Sequence, residues 1–225
     1  GEARPTQLAV QRKYVTGPNF DLVANCDLTK QKDQQACFLF FKKHRVLVAI
    51  MASICGPFGP MSHLNWHLHP DTMWKSYQYA RPIAWVCGWV ALIQLSKNLD
   101  FLCEQPNPSA LYAEAPWPKV FQDPRVMQVK YHRCMAGLKV LTGRYRGYYH
   151  KKPSTMTVSR PELGQPFTDM LCPGTHQHLP GDGHPRELSH AQVWTRREAY
   201  KEDARSYTHM TRPTNRQLQT HTSAV

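Results

Sequence analysis

The stretch that most restricts the fold is Arg45 to Pro60, RVLVAIMASICGPFGP. A β-branched apolar run, Val46 to Met51, breaks off in a small-residue turn that presents a thiol, Cys55, before Gly56, Pro57, Gly59 and Pro60. The run is too short and too β-branched for a helix, and the glycines and prolines behind it forbid its continuation, so it predicts a buried strand ending in a loop. In open α/β sheets the carboxyl ends of such strands are where ligands and reactive groups gather. Cys55 can then be a nucleophile, the remnant of one, or a core thiol.

The flanks support an α/β reading. Phe20 to Ala24 predicts a strand end, and Asp27 or Thr29 can cap a helix over KQKDQQACFLFFKK, with Ala36, Leu39 and Phe40 on its packing face. Strand, helix, strand within about 30 residues is a βαβ unit, which implies a parallel sheet. After the Cys55 loop, Asp71-Thr72 caps helical structure to about Lys97, which Pro82 should kink or divide. Its second part, PIAWVCGWVALIQL, is apolar nearly all round and predicts a helix lying against the sheet; at 14 residues it falls short of the roughly 20 a membrane span needs. Phe101-Leu102-Cys103 predicts a short strand that stops at Glu104-Gln105-Pro106, placing Glu104 near Cys55 if the two strands are neighbours. Trp117 is a candidate anchor in the loop-rich stretch that follows. Val126 to Lys130 and Ser154 to Val158 predict strands, 137–152 an exposed loop or hairpin, Pro161 to Leu171 a short helix, and Arg186 to Arg205 another. Residues 1–17 and 206–225 show no apolar periodicity and predict a disordered lead-in and tail around one domain, 18–205.

Charge is concentrated. The formal net charge is +12, and the window 125–160 holds nine Lys and Arg without one acid. Tyr131, Tyr145, Tyr148 and Tyr149 sit among Arg133, Lys139, Arg144, Arg146, Lys151 and Lys152. Cations neutralise phosphates and tyrosines stack on unpaired bases, so this segment predicts a nucleic-acid partner, DNA or RNA. The seven cysteines form no disulfide framework and no secretory leader is visible, which predicts a nuclear or cytoplasmic protein with reduced thiols. The first residue is Gly rather than Met, which points to a fragment or a processed product. Cys172-Pro-Gly-Thr-His176-Gln-His178 offers one thiolate and two imidazoles for a Zn2+ ion, with Cys134 or His184 as the fourth ligand. On an extended segment His176 and His178 would point to opposite sides.

Cys55 in a Gly/Pro loop and Glu104 after the next strand form a pair of known use, a thiolate that attacks a ring carbon and a carboxyl that holds a ring nitrogen. In this the sequence resembles the C5-cytosine DNA methyltransferase fold. It is more specifically similar to the divergent methyltransferase-like module of transposon polyproteins of the copia-type retroelements. The residues that carry this resemblance are Cys55-Gly-Pro-Phe with Leu64-Asn65, Glu104-Gln-Pro, Cys134-Met-Ala-Gly-Leu, Lys151-Lys-Pro-Ser-Thr and the Cys172 to His178 run. It implies a mostly parallel, Rossmann-like sheet truncated at its first βα unit, with a basic, loop-rich carboxyl-terminal part. It also implies catalytic roles for Cys55 and Glu104, S-adenosylmethionine as donor, and other polyprotein segments as partners. Ile54 stands where the family has Pro, Gln105-Pro106 where it has Asn-Val, and no Gly-rich donor loop occurs in residues 1–20. The donor would bind only with a preceding segment supplied, so the expectation is a module inactive alone, with an active methyltransferase fragment and a zinc-stabilised interaction module as alternatives.

Overall fold

The computed structural model describes residues 4–180, and Cys55 lies four residues past the end of its first strand, capping a 3-10 turn. Helix α1 (Arg4–Gln11) occupies part of the stretch expected to be a lead-in loop; the Thr6 hydroxyl donates to Asn19 Oδ1 at 2.6 Å, tying it to the next segment. Phe20 to Ala24 is not a strand. The Asp21 carboxylate accepts the Val23 N–H, an Asx turn that starts a 3-10 turn, Leu22–Ala24, and leaves Leu22 and Val23 exposed. Helix α2 (Gln31–Lys43) follows, preceded by a reciprocal pair: Asp27 Oδ1 accepts from the Thr29 N–H and hydroxyl, while Asp33 Oδ2 accepts the Asp27 N–H. Its buried face is Cys37 and Phe41, an i, i+4 pair, not the expected face through Ala36 and Leu39, both of which are exposed.

Strand β1 (Val48–Met51) leads through helix α3 (Ser62–Leu68) and helix α4 (Pro70–Ser96) into strand β2 (Asp100–Pro106). The parallel β1–β2 pair, with Met51 beside Cys103, makes this the βαβ unit of the fold, one element later than the sequence suggested. Helix α4 runs on through Pro82 without dividing; buried Ala80 and Ala84 on either side pack it down past the one hydrogen bond that proline cannot give. It is not buried all round, since Trp85 and Trp89 are exposed. Gln94, fully buried, donates to the carbonyls of Val46 and Asp100, so one side chain pins the amino ends of both parallel strands to α4. Lys97 Nζ donates to the carbonyls of Phe41, Lys42 and His44, capping the carboxyl end of α2. No described helix is long and apolar enough to cross a membrane.

Trp117 is the anchor expected of it: it opens helix α5 (Trp117–Val120), is fully buried, and donates from Nε1 to the Ala84 carbonyl at 3.1 Å. Strand β3 (Met127–His132), strand β4 (Pro153–Val158) and helix α6 (Pro161–Gly164) complete the described chain. Strand order is β1-β2-β4-β3, with β4 antiparallel to both neighbours. The sheet is therefore open and mixed, and the expectation of a mostly parallel sheet is corrected. The physical reason lies in the connection: residues 133–152 form a loop where a parallel return would need a crossover helix. Phe101 and Cys103 face α4 with Ala49 and Met51; Leu102, Val129, Tyr131, Met156 and Val158 face the other side, under Leu163 and Phe167. Glu104 does not follow a strand but sits inside β2, on this second face.

Candidate metal centre and basic loop

Strand β3 ends in a tight turn that faces Cys134 inward. Met135 N–H donates to the His132 carbonyl, Gly137 N–H to that of Cys134, and Gly137 takes φ +81°, a conformation glycine adopts without strain. The loop then doubles back on itself: Val140 N–H donates to the Tyr148 carbonyl and His150 N–H to that of Leu138, with Leu138 and Val140 both buried beneath. The chain returns past α6, where the Cys172 N–H donates to His132 Nδ1 at 2.9 Å. Gly174, at φ +85°, bends the Cys172–His178 run into a loop, and its N–H donates to Cys172 Sγ. Both imidazoles consequently face one sulfur: His176 Nε2 lies 3.5 Å and His178 Nε2 3.3 Å from Cys172 Sγ. The expectation that these rings point apart is corrected, because the segment is bent at Gly174.

Cys134, Cys172, His176 and His178 bring four ligand atoms within 4.8 Å of one another, a group that could hold a metal ion. Metal–sulfur bonds near 2.3 Å and metal–nitrogen bonds near 2.05 Å, at tetrahedral angles, set S···N at about 3.6 Å, so the two S···N distances fit a tetrahedral ion. Burial first, and Cys172 second, pushes the Cys134 thiol up to about 11, so a cation must displace a proton to bind there. Of the two alternatives for the fourth ligand, Cys134 is in the group and His184 lies outside the described residues, as do the helix expected over Arg186 to Arg205 and the tail.

The basic loop is locked to this cluster. Tyr149 N–H donates to the Gln177 carbonyl and Leu179 N–H to that of Tyr149, both at 2.8 Å. The His176 ring lies 4.1 Å from the Tyr149 ring, and Lys139 Nζ sits 4.4 Å from that ring on a cation–π contact. Beyond it Arg144, Arg146 and Lys151 are exposed, with Arg144 against Tyr145 and the rings of Tyr145 and Tyr148 5.7 Å apart.

Arg133 and Lys152 belong elsewhere. Arg133 pairs with Glu104 and donates from Nε to Ser154 Oγ at 3.1 Å. Burial works to lower its pKa, but the Glu104 charge beside it outweighs this and the balance is upward, with a smaller contribution from Cys55. Lys152 is lowered by burial and by Arg133, while Cys55 and Glu104 act against that. Cys55 and Glu104 thus both act electrostatically on Arg133 and Lys152, and near the carboxyl end of the parallel pair Gln105 Nε2 donates to the Ser53 carbonyl and hydroxyl. Among the described residues no strand precedes β1.

Sequence reasoning missed His132, which fixes the Cys172 backbone, and read Tyr149 only as a base-stacking ring, not as the bridge between loop and cluster. The even spacing of Gln128, Lys130 and His132 on one face of β3 was the available signal for the first; none existed for the second. Fold and site together define an open, mixed α/β domain carrying a candidate Cys2His2 metal centre beside a basic loop. No known family model, no curated protein and no solved structure matches the chain.

Proposed function

We propose that this chain is a nucleic-acid-binding module in which a zinc ion, held by Cys134, Cys172, His176 and His178, staples a basic, tyrosine-bearing loop into a fixed shape. The observation that carries the reading is the double tie of Tyr149, by two backbone hydrogen bonds and a ring contact, to the segment that supplies three of the four ligands. Zinc suits two thiolates and two imidazoles at these separations, and a closed set of four protein ligands makes its role structural rather than catalytic. Lys139, Arg144, Arg146 and Lys151 would meet phosphates, and Tyr145 and Tyr148 unpaired bases.

Descent from a Rossmann-like methyltransferase fold is favoured by one observation, that Cys55 and Glu104 both act electrostatically on the same two cations, Arg133 and Lys152. The Arg133 guanidinium occupies Glu104, which would have to be free to hold a ring nitrogen, so the module is read as inactive alone.

The test is binding of single-stranded and duplex oligonucleotides by the full chain between roughly 50 and 300 mM salt. Four phosphate contacts to a single strand give a log–log slope near −3, a loss of about a hundredfold in affinity across that range. Replacing Lys139, Arg144, Arg146 and Lys151 together by Ala should flatten the slope. Salt-independent binding, or none, refutes the reading.

A further inference from the structure

The face of β3 and β4 that α4 leaves uncovered holds a cleft of about 380 Å³, lined by Asn107, Tyr112, Phe121, Gln128, Lys130 and Thr155 among others. Its lining includes a buried polar residue, Thr155, which is 3% exposed. Part of its polar lining is already engaged. Gln128 Nε2 donates to Thr157 Oγ1, which donates to the Tyr112 hydroxyl at 2.7 Å, and the Ser109 hydroxyl donates to Gln105 Oε1. The Asn107 carboxamide, Gln128 Oε1 and the Lys130 ammonium make no hydrogen bond or ion pair among the described residues.

From this we infer a binding site for one nucleotide of a single strand, its base in the cleft and its phosphate at the mouth. A carboxamide carries donor and acceptor side by side, which matches the hydrogen-bonding edge of a base. The Phe121 ring supplies an apolar wall, and the exposed Lys130 one cation for one phosphate. A fatty acyl chain would leave the Asn107 carboxamide and Gln128 Oε1 with nothing to bond, and a duplex cannot enter a space this small. The site also lies on a route. Gln128, Lys130 and His132 follow one another along one face of β3, about 6.7 Å apart, and His132 holds the Cys172 backbone of the candidate metal centre. A strand leaving the cleft along β3 therefore arrives at Lys151, Tyr149 and Lys139. This inference rests on the nucleic-acid reading for the strand, though not for the cleft itself.

The experiment uses the full chain and amide NMR. Each nucleoside 5′-monophosphate, titrated to roughly 10 mM, a range suited to a millimolar site, should shift the side-chain NH2 signals of Asn107 and Gln128 and the Thr155 amide. Inorganic phosphate should not. Asn107→Ala and Lys130→Glu, both at solvent-accessible positions, should each lower affinity for a single-stranded oligonucleotide roughly tenfold, the scale of one seated base, with an unchanged far-UV spectrum. The Ala-substituted loop should lose oligonucleotide affinity yet keep the monophosphate shifts. If those shifts persist while wild-type oligonucleotide binding proves salt-independent, the loop reading falls and the cleft stands. Absence of cleft shifts, equal shifts from inorganic phosphate, or unchanged oligonucleotide affinity in both variants overturns the inference.

Discussion

Removing the metal should lower the melting temperature by an amount set by the loop that the site closes. Cys134 and Cys172 come from opposite sides of β4, and a bond between them through an ion closes a loop of roughly 40 residues. Chain entropy for a cross-link of that length is worth about 4 kcal/mol. Ligands within the Cys172–His178 run add little, because they are already close in sequence. For a chain of this size 1 kcal/mol moves the midpoint by about 2–4 °C, so a saturating chelator should lower it by about 8–16 °C. The assay is differential scanning fluorimetry with and without chelator, with zinc content measured on the same sample. Cys172→Ser should melt at the lower temperature in both conditions. Cys26→Ser, at a thiol outside the cluster, should keep the full chelator response. A wild-type midpoint that ignores chelator, together with zinc well below one per chain, refutes the staple.

A methyl group added at Gly88 would come within 2.7 Å of Pro116 Cδ; Gly88→Ala should therefore cost about 1–3 kcal/mol through overpacking, read from urea denaturation. Gln94→Leu strips two buried carbonyls, those of Val46 and Asp100, of their donor and should lower stability by about 2–4 kcal/mol in the same assay. Burial pushes the Cys37 and Cys87 thiols up to about 12 from the ordinary 9. Between those values the folded state keeps protons that the unfolded state has released, so stability falls as pH rises above 9 and is unaffected by these groups below it. The urea midpoint should drop from about pH 9 upward, and less steeply in Cys87→Ala.

What could be read from the sequence was whatever depends on local pattern. The strand ending at Met51 before the Cys55 turn, the long helix after Asp71, the anchoring of Trp117 and the candidate soft ligands of the Cys172 run all follow from periodicity, turn chemistry or ligand type. Strand direction did not, because alternation in Val126 to Lys130 and Ser154 to Val158 is the same for parallel and antiparallel neighbours. Phe20 to Ala24 was misread because its apolar residues looked like a strand while Asp21, by accepting a nearby N–H, turned the backbone the other way. The convergence of His176 and His178 depended on the positive φ of Gly174, and the capture of Glu104 by Arg133 on a strand pairing invisible to local reading. Their candidate metal site was legible as composition and not as geometry.

The rungs between Leu138 and His150 and between Val140 and Tyr148 fasten both arms of the basic loop over buried residues, and Tyr149 ties it to the segment that carries the candidate ligands. Residues 141–146 at its tip make no such rung to the opposite arm. Doubling the length of such a tip costs only about 0.6 kcal/mol in closure entropy. The tip can accordingly be exchanged or extended while the framework stays put, which makes it the natural place for an engineer to insert a different segment.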